Sequence, residues 1–91
     1  MDQPNPIILN VSALDLPNLI IEASDGMKYY VDLSSMSSVY CFPKNNNDWK
    51  SVNIDSYGLA LTWSTRFEVH IDQLIALAYK SEKYSILAKT G

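Results

Sequence analysis

Apolar and polar residues alternate with a period of two along most of this chain, and the spacing turns helical only near its end. In IILNVSAL, Ile7, Leu9, Val11 and Ala13 fall on one side and Ile8, Asn10, Ser12 and Leu14 on the other, which predicts a strand. Pro6 stands at its entrance, where a missing N–H costs little. Asp15 to Asn18 (DLPN) then supply turn residues.

The stretch LIIEASDGMKYYVDL, Leu19 to Leu33, reads as a hairpin, and its register can be argued from polarity. A two-residue Asp25-Gly26 loop would set Glu22 opposite Tyr29 and Leu19 opposite Asp32, mixing polar and apolar residues on both faces. A three-residue loop, Ser24-Asp25-Gly26, pairs Ala23 with Met27, Ile21 with Tyr29 and Leu19 with Val31, and Leu33 extends the same face. The other face pairs Glu22 with Lys28 and Ile20 with Tyr30. A one-residue slip changes which side chains meet, so the register that segregates polarity is preferred. Gly26 suits the left-handed position of such a loop and Asp25 suits its start.

Beyond Leu33, SSMSSVYCF reads as a bend or a single helical turn that carries Met36, Val39 and Phe42 inward. Pro43 to Asp48 (PKNNND) reads as an exposed loop. WKSVNI, Trp49 to Ile54, reads as a strand with Val52 and Ile54 on one face. DSYG then closes a second hairpin into LALTW, where Leu59, Leu61 and Trp63 alternate inward. Ser64-Thr65-Arg66 is a further three-residue loop, pairing Trp63 with Phe67 and Leu61 with Val69. It puts Arg66 where glycine is preferred, at a cost of about 1 kcal/mol.

From His70 the period changes. Ile71, Leu74, Ile75 and Ala78 form one helical stripe that Leu77 broadens. Asp72 near its start and Lys80 and Lys83 near its end each sit where the helix dipole favours them. Residues 81–91 either prolong this helix or form a separate tail, with Tyr84, Ile86 and Leu87 as an apolar end. The expected fold is α+β: one mainly antiparallel sheet of five to six strands with a C-terminal helix on one face. A single domain spans residues 1–91, with its core in 7–80.

Composition narrows the function more than it defines it. Hydrophobic residues are 47% of the chain and charged residues 19%, which suits a folded globule. Seven basic residues against ten acidic ones give net charge −3, and the basic residues are scattered. Binding a nucleic-acid duplex needs clustered cations, so no direct nucleic-acid role is expected. One cysteine, Cys41, fits a reducing compartment. With no basic leader and no apolar run long enough to span a bilayer, the expectation is a cytoplasmic protein with no membrane role.

Candidate chemistry is sparse. Cys41 and His70 are the only nucleophile–base pair, and nothing in the sequence brings them together. Cys41 reads better as a small core residue, and His70 as the end of a strand that caps the helix. A zinc site needs three or four ligands, so neither a metal nor a cofactor is expected. Asp32 and Asp55 each close a strand, where aspartate commonly binds loop backbone. Glu68, His70 and Asp72 are the one set from which a small enzyme could be built. The ten aromatic residues, by contrast, exceed what one small core must hold. With Ile20 and Tyr30 turned away from the inner face, they suggest a protein-interaction surface of Ile20, Tyr30, Tyr57, Tyr84, Ile86 and Leu87.

The pattern resembles a small bacterial family catalogued as domain of unknown function 2442. Its frame is an Asp-Gly turn, a Val-Asp-Leu, an aromatic before a V-x-I-D strand, a tryptophan ending the next strand, then an acidic residue and a leucine-bearing helix start. Here these are Asp25, Gly26, Val31, Asp32, Leu33, Trp49, Val52, Ile54, Asp55, Gly58, Trp63, Glu68 and Leu74. Ala23, Arg66, Glu68 and Ile71 stand where the family usually has an aromatic, glycine, aspartate and proline. The resemblance implies an antiparallel sheet with a helix across it and no established activity. It also implies a regulatory setting, since some members precede a helix-turn-helix segment and others accompany a second small protein. The resulting expectation is a non-catalytic protein-binding module that meets a protein partner or a second copy of itself. It would be the partner or antitoxin-like half of a bacterial or phage-borne pair. The alternatives are a phage-type inhibitor of a host or defence protein and the small enzyme above.

Overall fold

The computed structural model describes residues 6–80. Within them lie strands β1 Ile8–Ala13, β2 Asn18–Ala23 and β3 Lys28–Asp32, then a short helix α1 Asn46–Trp49. Strands β4 Asn53–Ile54, β5 Ala60–Thr62 and β6 Glu68–His70 follow, and helix α2 Ile71–Lys80 comes last. A single 3-10 turn, Ser34–Met36, follows β3. The fold is α+β, but the strands make two antiparallel three-stranded sheets, β1-β2-β3 and β4-β5-β6, not the single sheet expected. Between β3 and β4 the chain spends twenty residues on the 3-10 turn, a loop and α1, which keeps those two strands from pairing. The sheets adjoin where β1 runs beside β4, and the Ile8 N–H donates to the Gly58 carbonyl at 2.7 Å.

Both tight corners have the expected register. In the first, Leu19 pairs with Val31, Ile20 with Tyr30, Ile21 with Tyr29 and Glu22 with Lys28. The Ala23 N–H donates to the Met27 carbonyl at 3.0 Å and Gly26 has φ 86°. In the second, Leu61 pairs with Val69, the Trp63 N–H donates to the Phe67 carbonyl at 2.9 Å, and Arg66 has φ 76°. One buried cluster collects the inward residues of both sheets, including Leu19, Ile21, Tyr29, Val31, Leu61, Trp63 and Val69. Leu74 and Ala78 add the inner stripe of α2, which lies against β3 and β6.

Four local expectations are corrected. A bulge between Ile8 and Asn10 sets two β1 residues against one of β2. Ile8 therefore turns inward and joins the core with Val11 and Ala13, while Ile7 and Leu9 face outward. PKNNND is not simply an exposed loop, because Pro43 is buried and Asn45 caps a helix, its side chain accepting the Asp48 N–H at 2.8 Å. That cap starts α1 before Trp49, so Trp49 is helical and the following strand shrinks to Asn53–Ile54. Leu59 and Val39, expected inside, are both exposed; Leu59 belongs to a turn and Ala60 is buried instead. Met36 and Phe42 do point inward.

The two glycines at positive φ differ in what surrounds them. A Cβ on Gly26 would meet open space, whereas on Gly58 it would stand 3.0 Å from the Ile7 Cβ and 3.2 Å from the Ile8 carbonyl oxygen. We expect Gly26→Ala to cost the backbone strain alone, about 1 kcal/mol, and Gly58→Ala to cost more. Arg66→Gly should stabilise the fold by up to about 1 kcal/mol, since the left-handed backbone is already in place. Urea unfolding of the three variants checks both statements. A Gly58→Ala no weaker than Gly26→Ala would contradict the contact with β1.

Candidate functional site

The five-residue connection between β4 and β5, Asp55 to Leu59, is built around one carboxylate. Asp55 accepts the backbone N–H of Leu59 at 2.9 Å and of Tyr57 at 3.2 Å. Its own N–H donates to the Ala60 carbonyl, and its carbonyl accepts the Gly58 N–H. Gly58, with φ 73°, lets the turn lie directly against β1. The turn is fastened on two sides, by the Ile8 N–H to Gly58 and by the Ile71 N–H to the Leu59 carbonyl at 2.8 Å. Tyr57, 75% exposed, thus projects from a fixed support.

Exposed apolar side chains surround this support. Ile7 packs on Gly58 between Tyr57 and Leu59, which is 41% exposed. Further along β1, Leu9 is 60% exposed and shares with Met27 a shallow depression of about 310 Å³ that Glu22 and Lys28 also line. Ile7 links the two ends. Its N–H donates to the Ser24 hydroxyl and its carbonyl accepts the Ser24 N–H, which binds β1 to the first corner. The result is an apolar rim from Met27 and Leu9 through Ile7 to Tyr57 and Leu59.

This rim overlaps the surface expected from sequence only at Tyr57. Ile20 and Tyr30 do face each other on the outer side of the first sheet, but both are half-buried, and Tyr57 stands apart from them on the β4–β5 turn. Tyr84, Ile86 and Leu87 lie outside the described residues. Leu9 was missed because the bulge that turns it outward reverses the alternation of β1 and leaves no mark in the apolar pattern. Gly58 was the one available signal, since a glycine between strands often marks a close backbone approach.

Of the remaining candidate groups, Glu68 and His70 are brought together. Glu68 and His70 lie on the outer side of β6 with carboxylate and imidazole 3.8 Å apart, both exposed. Asp72 is exposed in the first turn of α2. The Gln73 side chain reaches back to the His70 N–H at 3.4 Å, as the returning half of a capping box. The half-buried Cys41 lies before α1, and its carbonyl accepts the Thr65 hydroxyl. Among the described residues no three His, Cys, Asp or Glu side chains are placed to hold a metal ion. No helix among them is long and apolar enough to cross a membrane. No family model, curated protein or solved structure matches this chain.

The Asp55 turn carries a pH signature. The Leu59 N–H above all, with those of Tyr57, Ala60 and Gly58, holds the Asp55 carboxyl below the usual carboxylate range, against an opposing effect of desolvation. A carboxylate whose folded pKa is depressed stabilises the fold above its unfolded pKa, and that contribution is lost as pH falls through the folded value. Thermal melts of the wild type and Asp55→Asn should therefore differ most at neutral pH and converge on acidification. A constant gap down to strongly acidic pH would show that the charge of Asp55 is not what holds the turn.

Proposed function

We propose that this protein is a non-catalytic protein-binding module, a distant relative of the domain of unknown function 2442 family. It acts as the partner or antitoxin-like half of a small bacterial or phage-borne pair, in the cytoplasm. The observation that carries this reading is the apolar rim. Leu9 at 60% exposure, Tyr57 at 75% and Met27 at 45% stay in water on a domain that otherwise closes its core around fully buried residues such as Trp49, Leu61 and Leu74. Clustered exposed apolar residues mark association surfaces, and tyrosine is enriched among interface residues that dominate affinity. A tyrosine on a rigid turn also loses little conformational entropy on binding. The polar edge supplied by Glu22 and Lys28, whose side chains pair at 3.4 Å, gives the rim the mixed border usual at non-obligate contacts.

The product of the adjacent gene is the natural first partner to test, with self-association as the second arm. Leu9→Ser combined with Tyr57→Ser should abolish co-elution of the pair, or dissociate a homodimer, on size-exclusion chromatography with light scattering. Because both side chains are exposed, the double variant should keep its unfolding midpoint, with each change within about 0.5 kcal/mol of neutral. A wild type that elutes as a monomer and ignores its neighbour, or a variant that binds as well as the wild type, would remove the rim from consideration.

A further inference from the structure

Asp25 and Gly26 form the exposed apex of the β2–β3 corner. An aspartyl–glycyl step is unusually prone to spontaneous rearrangement, because glycine has no side chain to shield its amide nitrogen. In that reaction the Gly26 nitrogen attacks the side-chain carboxyl carbon of Asp25. A C–N bond forms, and the amide proton and the carboxyl hydroxyl leave together as water. A second water then opens the succinimide ring at either carbonyl, returning aspartate or leaving isoaspartate, in which the main chain runs through the former side chain. Water is the only co-reactant, and the step involves no net oxidation.

Burial does not protect this apex. A Cβ on Gly26 would find nothing within 4 Å, so solvent reaches it freely. Three hydrogen bonds hold the reacting groups instead. The Gly26 N–H, the would-be nucleophile, donates to the Ala23 carbonyl at 3.0 Å. One Asp25 carboxylate oxygen accepts the Met27 N–H at 2.9 Å and the other accepts the Tyr29 hydroxyl at 2.8 Å. Tyr29 is 1% exposed, so its hydroxyl reaches the apex from a ring fixed in the core.

We propose that Asp25-Gly26 is a site of spontaneous isoaspartate formation, and that the Tyr29 hydroxyl guards it by holding the Asp25 carboxylate away from the Gly26 nitrogen. The guard works only while the hairpin is closed, so the modification rate reports how often this corner opens. The damage would be structural as well as chemical. Isoaspartate adds a methylene to the main chain of a three-residue loop, and the pairing of Ala23 with Met27 that sets the whole register lies directly beside it.

Full-length wild type and Tyr29→Phe, both shown folded by circular dichroism, are incubated at neutral pH, and isoaspartate at residue 25 is quantified by peptide mapping. Removing one hydrogen bond to a charged acceptor should speed its formation roughly tenfold or more. A synthetic peptide of residues 21–29 should be faster still. Equal rates for the two folded proteins, or a folded wild type as fast as the peptide, would overturn the proposal. Should Tyr29→Phe fail to fold, the wild type in rising urea decides. A rate that climbs as the chain opens supports the guard, and one that stays flat ends it.

Discussion

The indole of Trp49 ties the two sheets together. Its N–H donates to the Asn18 carbonyl at the start of β2, at 3.0 Å, while its ring stacks on Trp63 at the end of β5 with centroids 5.1 Å apart. Trp63 in turn donates its own indole N–H to the Trp49 carbonyl at 2.9 Å. Phe42 and Phe67 complete the cluster, edge to face at 5.0 Å. A buried tryptophan must satisfy its N–H, and here both do so by reaching backbone in a different element. The second sheet needs this help. Strands of two and three residues make too few ladder hydrogen bonds to persist alone, so the β4–β5–β6 meander is held chiefly by the aromatic residues beneath it.

The rim on β1 depends on the same arrangement at one remove. The Asp55–Gly58 turn lies against β1 because the second sheet is docked there, and Ile7, Tyr57 and Leu59 are neighbours only while it stays docked. Loss of the Trp49 bonds would free the turn and scatter the exposed side chains before it unfolded the first sheet, whose two long hairpin arms are internally paired. Fold and proposed interface are therefore not independent properties of this chain.

What could be read in the sequence was whatever polarity alone decides. Both corner registers follow from pairing like with like, since a slip of one residue at Leu19 or Leu61 would bury a charge or expose a core residue. The stripe of Ile71, Leu74 and Ala78 was legible for the same reason, all three being buried on α2. Three features were not. The bulge in β1 reverses which of Ile8 and Leu9 faces the core, although both are large aliphatics, so alternation cannot choose between them. The α1 helix depends on the Asn45 side chain acting as a cap, which in a run of three asparagines looks like any loop residue. The division into two sheets comes from the path of residues 33–52, which no periodicity records. The rim was largely hidden because its residues are exposed by the first and third of these features, while Ile20 and Tyr30, placed by register alone, were located correctly and yet are half-buried.

The two corners share one backbone geometry but are held in different ways, and the contrast explains how arginine is tolerated at residue 66. The first corner is held largely by its own residues, with Ile7 bonded to Ser24 at its base. Asp25 binds the Met27 N–H and the Tyr29 hydroxyl, and Gly26 takes the left-handed position without strain. The second corner carries its strain at Arg66 and is clamped from outside. The Ser51 hydroxyl accepts the Ser64 N–H at 3.0 Å and hydrogen-bonds the Ser64 hydroxyl, while Thr65 donates to the Cys41 carbonyl. Beneath them the Trp63 and Phe67 rings pack at 5.1 Å. An unfavourable φ persists where surrounding contacts over-determine it, and here those contacts come from the segment joining α1 to β4 and from the loop before α1. The strained corner is therefore tied to the elements that carry Trp49, whereas the relaxed one depends on its own hairpin and on Ile7 at the entrance to β1. That division leaves the first corner free to open locally, without disturbing the aromatic cluster that holds the sheets together.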